Sequence, residues 1–280
     1  MITEPIEQFT AQKPAPPPIV QLGSLPVSRL ILGGNPMSGF SHQNQARDRE
    51  MVEYFTVTRI KDLLRQAEDL GINTLISRVD RHIMRMLLEY WSEGGKIKWM
   101  AQTAFEFPNL SGCVAQAISN GASAVYIHGG QMDYFYSNNK LDVVGPAIEQ
   151  IHAAGLPAGV AAHIPKVHQW ANDNLPIDFH MCSYYNPTPR DRQAGHVAGA
   201  EETFDDADRD AMLAVIPELK KPAIHYKIFA AGRKDPLEAF ELSARHLRPG
   251  DAMCIGVFPK DKQDMLVEDL QLFHKVLAGR

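Results

Sequence analysis

Between Arg29 and Leu277 the chain repeats one pattern eight times: a short apolar run rich in β-formers, then a stretch with helical periodicity. The runs start with Arg29–Gly34 (RLILGG). They continue with Ile72–Ser77, Ile97–Gln102, Ser123–His128, Pro157–Ala162, Phe179–Tyr184, Ala223–Phe229 and Ala252–Val257. Several are apolar at consecutive positions, as parallel strands buried on both faces are. The helical stretches fall over residues 57–70, 81–92, 110–121, 141–154, 166–172, 206–219, 236–246 and 261–277, with Gly71, Gly121 and Gly155 as C-terminal stops. Eight β/α units in 280 residues predict an α/β fold, a (β/α)8 TIM barrel, as a single domain over residues 19–280. A doubly wound open sheet is the competing arrangement, but the GGNP after the first run lacks the GxGxxG spacing.

Residues 1–18 are polar and proline-rich and read as an extended tail. They carry no basic and apolar halves of a secretory signal, and no 18-residue apolar stretch marks a membrane span. The balance of 28 Lys and Arg against 33 Asp and Glu, net −5, with no basic run, argues against nucleic acid as a partner. Cys113, Cys182 and Cys254 form no CxxC pair, so the expectation is a cytoplasmic protein without disulfides whose partner is a small-molecule substrate.

A barrel of this kind places chemistry at the C-terminal ends of its strands, where the βα-loops gather. The polar residues there are Asn35, Ser77, Arg78, Gln102, Thr103, His128, His163, Tyr185, Asn186, Tyr226, Lys227, Arg233 and Lys260. The two longest loops, 35–56 and 186–205, are expected to be binding loops or lids.

Six segments, in order, resemble the aldo-keto reductase superfamily. They are LGSLPVSRLILGGNP (Leu22–Pro36), LGINTL (Leu70–Leu75), AVYIHGGQMD (Ala124–Asp133), SYYNPTPR (Ser183–Arg190), YKIFAAG (Tyr226–Gly232) and FPKDKQDMLVEDL (Phe258–Leu270). The resemblance implies a barrel closed at its base by an N-terminal hairpin. It also implies NADPH-dependent carbonyl reduction by a tyrosine, lysine, aspartate and histidine tetrad. Only the histidine has a counterpart, His128; Ile76 stands at the aspartate position, Arg81 and His82 occupy the tyrosine stretch, and Ala104 replaces the lysine after Thr103. At the nicotinamide-holding positions the resemblance places Ala161, Ala162 and Cys182, which offer no suitable hydrogen bonds. It assigns Tyr226 to stacking beneath the nicotinamide, Lys260 to the 2′-phosphate and Glu268 to the adenine, with Asp261 adding like-charge repulsion.

Three functions fit this pattern. The first is acid–base lyase or isomerase chemistry on a small polar carbonyl or sugar-type compound. His128 and His163 serve as acid and base, Lys227 as charge stabiliser, and Asn35, Arg78, Tyr185, Asn186 and Arg233 as substrate contacts. A metal-assisted version makes His128 and His163 ligands of a divalent ion, with His42, Asp80 or Glu106 as third. The second is an NADP-dependent reductase whose missing phenol is supplied by Tyr54 or Tyr185. The third is a non-catalytic binding protein.

Overall fold

The computed structural model describes residues 13–193, 195 and 202–279. An antiparallel hairpin comes first, β1 (Ile19–Leu22) against β2 (Leu25–Ser28), with Leu22 opposite Leu25. Eight parallel strands follow. They are β3 (Leu30–Gly33), β4 (Thr74–Arg78), β5 (Lys98–Gln102), β6 (Ala124–Ile127), β7 (Ala158–Ala162), β8 (Phe179–Ser183), β9 (Ala223–Tyr226) and β10 (Ala252–Ile255). They pair in sequence order, and β10 returns to β3 to close a barrel. The chain is therefore a (β/α)8 TIM barrel with an N-terminal hairpin.

The helices are α1 (Gln45–Tyr54), α2 (Val57–Asp69), α3 (Arg81–Ser92), α4 (Leu110–Ser119), α5 (Gly129–Ser137), α6 (Val144–Ala153), α7 (Pro165–Asn174), α8 (Asp206–Val215), α9 (Pro236–His246) and α10 (Met265–Ala278). Short polar side chains start many of them. Asn44, Asp80, Asn109 and Asp235 accept from the amides of Arg47, Ile83, Gly112 and Glu238 at 2.7–3.1 Å. The apolar faces of the helices close on the outer face of the barrel. Inside it, Ile31, Met100, Ala124, Phe179, Ile224 and Ala252 stack above Leu22 and Val27 of the hairpin. Phe179 fills the bore opposite Gly159, where a Cβ would lie 2.4 Å from its ring.

The sequence expectations need four changes. Residues 45–54 form α1 inside what reads as a loop, because Asn44 caps a helix too weakly amphipathic to show in the pattern. α5 occupies residues 129–137, where the pattern offers no helix, and the amide of Gly130 donates to His128 Nδ1 at 3.2 Å at its start. The seventh barrel strand stops at Tyr226 instead of Phe229, since Lys227 is left-handed at φ +59°. The last helix starts at Met265 instead of Asp261. Within the expected tail, residues 1–12 lie outside the described residues. Pro17 is buried, and the carbonyl of Ala15 accepts from His274 Nε2 at 2.7 Å. All three cysteines are free and buried, and among the described residues no helix is long and apolar enough to cross a membrane.

Candidate active site

A cavity of about 410 Å³ opens at the C-terminal mouth of the barrel. Its inner end is walled by Ile76, Gln102, Tyr126, Met181, Tyr226 and Cys254, the uppermost side chains of the bore. From there it passes Asn35, His42 and Lys227 and continues between α1 and α10, past Arg47, Glu268 and Asp269. Tyr126 donates to Gln102 Oε1 at 2.7 Å and so fixes the floor.

Lys227 is the cation at the inner end. The left-handed turn at the end of β9 sends its side chain into the cavity, where Nζ lies 3.5 Å from His42 Nε2. His42 is itself left-handed, at φ +56°, on the loop after β3. Its Nδ1 meets Glu202 Oε2 at 2.7 Å, and its Nε2 also faces Asn35 Nδ2 at 3.3 Å. Two donors at Nε2 make that nitrogen the acceptor, so the ring proton sits on Nδ1 and is donated to Glu202. Burial, helped by the nearby Arg190 charge and opposed by Glu202, lowers the Lys227 amine to about 8. Non-glycine residues in this backbone region cost about 1 kcal/mol or more each and concentrate at working sites.

Beside the mouth lies a second assembly. Asp133, on the first turns of α5, is fully buried beneath the loop that leaves β7. Its carboxylate accepts from His163 Nδ1 at 2.7 Å, from the His163 amide at 3.1 Å and from the Ile164 amide at 3.3 Å. The imidazole therefore keeps its proton on Nδ1 and an open lone pair on Nε2. Burial lowers the His163 pKa, while Asp133 opposes the shift, so the ring is neutral at pH 7. His128, half-buried at the start of α5, stands edge-on to Phe105 at 5.4 Å between ring centroids. Burial, then the charges of His163, Arg190, Arg78 and Lys227, hold its pKa well below normal. Tyr226 joins the two assemblies: it lines the cavity, its ring centroid is 6.4 Å from that of His163, and burial raises its phenol. Gly129 makes this approach possible, because a Cβ there would sit 3.0 Å from His163 Cε1 and 3.3 Å from the Tyr226 hydroxyl.

Of the residues singled out from sequence, the cavity brings together Asn35, His42, Gln102, Tyr226, Lys227 and Glu268, whereas His128 and His163 are not in its lining, His163 lying behind Tyr226. Arg78 does not line the cavity: its guanidinium is held by Glu106 and Asp80 and lies over the Phe40 ring. Arg233 donates to the carbonyls of His42 and Ala230, both at 3.1 Å, and so ties the two left-handed loops together instead of facing a ligand. Tyr185 is buried against Phe204, and Asn186 donates its amide to Asp208; neither lines the cavity. Tyr54 lies edge-on to Phe55 and Phe258, so neither phenol offered as a substitute reaches the bore. The expected metal set is also dispersed. His42 binds Glu202, Asp80 caps α3, Glu106 holds Arg78, and no group of three His, Cys, Asp or Glu among the described residues could hold an ion. Sequence reasoning gave no role to Asp133, Glu202 or Arg190. Asp133 and Glu202 lie far along the chain from the histidines they hold, and only the closed barrel unites them.

The residues present do not fit a nicotinamide in the position implied by the aldo-keto reductase resemblance. Cys182 points outward from the barrel, and the inward side chains of β7 and β8 there are Ala161 and Met181, which bind no carboxamide. Farther out, Lys260 pairs with Glu50 at 2.8 Å, Lys262 with Glu268 at 2.5 Å and Arg47 with Asp261, so each cation already has a carboxylate. Burial and Glu268 raise Asp269 to about 7.

No protein-family model matches the chain, and no curated protein matches it. Solved structures do. A candidate aldo-keto reductase from Pseudomonas aeruginosa superposes with a TM-score of 0.65 at 18% identity, covering 96% of this chain and 100% of its own. A truncated 3-deoxy-D-arabino-heptulosonate 7-phosphate synthase from Thermotoga maritima gives 0.55 at 10% identity, over 94% and 93%. An archaeal fructose 1,6-bisphosphate aldolase gives 0.51 at 14% identity, over 90% and 93%. Identities this low establish the barrel and no activity.

Proposed function

We propose that this barrel is an enzyme of acid–base lyase or isomerase type that acts on a small polar carbonyl or sugar-type compound. One observation carries the reading: the Lys227 amine lines the cavity beside Tyr226, whose ring centroid lies 6.4 Å from that of His163, the imidazole held by buried Asp133. A cation near a carbonyl oxygen stabilises an enolate, and a neutral imidazole with an oriented lone pair removes the α-proton that forms it. In this scheme Asn35 and Gln102 contact substrate hydroxyls and His128, its ring kept neutral, orients the substrate. The sugar-processing barrels among the structural neighbours are compatible with such a substrate.

The alternative is an oxidoreductase of the aldo-keto reductase type. The observation in its favour is the outward reach of the cavity along α10, which suits an elongated ligand. The missing carboxamide partners and the paired cations count against it.

The two readings separate in one experiment. The protein is incubated in 2H2O with a panel of hydroxy-aldehydes and hydroxy-ketones and followed by 1H NMR, while NADPH binding is titrated by fluorescence. Deuterium entering at the carbon next to the carbonyl, without nicotinamide, is expected. Tight NADPH binding and carbonyl-dependent NADPH oxidation, with no exchange, would overturn the reading.

A further inference from the structure

We infer that Lys227 forms a covalent imine with the carbonyl carbon of a hydroxy-aldehyde or hydroxy-ketone, and that His42, oriented by Glu202, takes the proton that frees its amine. The inference deepens the carbonyl reading above and rests on it for the substrate class.

The geometry suits an amine that does more than present its charge, and the iminium it forms keeps a cation at the carbonyl carbon. Among the described residues, the one polar partner of Lys227 Nζ is an imidazole nitrogen at 3.5 Å. A lysine kept only to steady an oxyanion is best served by a carboxylate that holds it ionised. Here Glu202 reaches the amine through His42 instead, at 2.7 Å from the far ring nitrogen. Carboxylate, imidazole and amine thus stand in the order that activates a nucleophile by an oriented base. The backbone supports the arrangement from both sides. His42 and Lys227 are each left-handed, and Arg233 and Gln43 bind the loop of one to the loop of the other through Ala230, Ala231 and the carbonyl of His42. The cavity supplies room for a small substrate directly against the amine. Burial and Arg190 act in the same direction by disfavouring the ammonium.

The bonds balance without a further reagent. His42 Nε2 accepts a proton from the ammonium. The free amine attacks the carbonyl carbon, a C–N bond forms, and the carbonyl π pair moves to oxygen. That oxygen takes a proton from the new C–N nitrogen and becomes a hydroxyl. The imidazolium returns its proton to the hydroxyl, the C–O bond breaks, and water departs as the nitrogen lone pair closes the C=N+ bond. Ammonium and carbonyl have become iminium and water, and His42 is neutral again.

Borohydride trapping tests this. The full-length protein is incubated with dihydroxyacetone or glyceraldehyde, reduced, and the adduct located by peptide mass mapping. One adduct per chain is expected at Lys227, with a trapping rate that rises with pH to a plateau above about 8. K227R should lose it, and circular dichroism identical to wild type would show that the variant is folded. H42Q should slow trapping at pH 7 by about a hundredfold, and the deficit should shrink at pH 9, where bulk base does the work of His42. A purely structural His42 would give a deficit independent of pH. Adducts spread over surface lysines and unchanged in K227R would overturn the covalent role. Wild-type trapping rates in H42Q at every pH would overturn the proton-transfer role. Trapping needs no turnover, so it succeeds even if α-proton exchange is absent, and the two failures are distinguishable.

Discussion

Lys227 and His42 are 185 residues apart in the chain, yet Lys227 Nζ lies 3.5 Å from His42 Nε2, each on a loop turned left-handed. Neither conformation is favourable for a side chain with a Cβ, and together they set an amine against an imidazole at the inner end of the cavity.

The first prediction concerns stability. Lys227 titrates at about 8 in the folded chain and near 10.4 when unfolded. The charged form is therefore disfavoured by folding; the cost is fully present below pH 8 and disappears as pH rises through about 10.4. Lys227→Met should stabilise the protein at pH 7 by ~2–3 kcal/mol and by little at pH 10.5, while abolishing activity. Urea unfolding at the two pH values checks this. A variant less stable than wild type at pH 7 would contradict it.

The second concerns the imidazole that Asp133 orients. Asp133→Asn leaves the shape of the site but no longer holds the His163 proton on Nδ1. Activity should fall by a factor of about 10²–10⁴ through kcat, with KM changed little. Because burial lowers the His163 pKa, protonation of this base should not set in at 6.5, and the loss in Asp133→Asn should be present at pH 7 and above. A steady-state pH profile of both proteins measures the effect.

Much of this was legible in the sequence, and the omissions share a cause. Uninterrupted apolar runs such as Ala124–Ile127 and Ala158–Ala162 suit parallel strands buried on both faces, and eight strand–helix units in succession pointed to the barrel. His163 stood out because it follows such a run directly, and Lys227 because it is a cation at the end of the seventh strand. Asp133 did not, because a single aspartate after two glycines resembles a solvated loop. Its burial comes from α5 tucking under β7, a tertiary fact. Residue type alone marked Arg78, Tyr185 and Arg233 as binding groups; their contacts with Glu106, Phe204 and the His42 carbonyl are tertiary and left no trace in the sequence.

The third prediction lies at the bottom of the barrel. Asp251 is buried, which would raise its pKa, but His225, Arg248 and the amide of Ala223 more than offset this and bring it down to about 2. A depressed carboxylate stabilises the fold above its unfolded pKa of ~3.9, and that contribution is lost as pH falls towards 2. Stability should therefore decline between about pH 4 and pH 2 by roughly 2 kcal/mol from this group. In Asp251→Asn that portion of the decline should be missing, as acid titration followed by circular dichroism would show.

The fourth concerns the bore. Gly159→Ala places a Cβ 2.4 Å from the Phe179 ring, which is enclosed on all sides and cannot swing away. Overpacking of this kind costs about 1–3 kcal/mol, and the matching shift in Tm should be recovered in part by Gly159→Ala combined with Phe179→Leu.

The central claim is that a proton next to a carbonyl is removed by His163 while Lys227 holds the carbonyl end. It is tested most directly by the initial rate of α-deuteration of one responsive hydroxy-ketone, measured by NMR at pH 7.5 in wild type, His163→Gln and Lys227→Met. The account predicts exchange in the wild type and a loss of about a hundredfold or more in each variant. Exchange at the wild-type rate in either folded variant, or NADPH-dependent reduction in place of exchange, would contradict it.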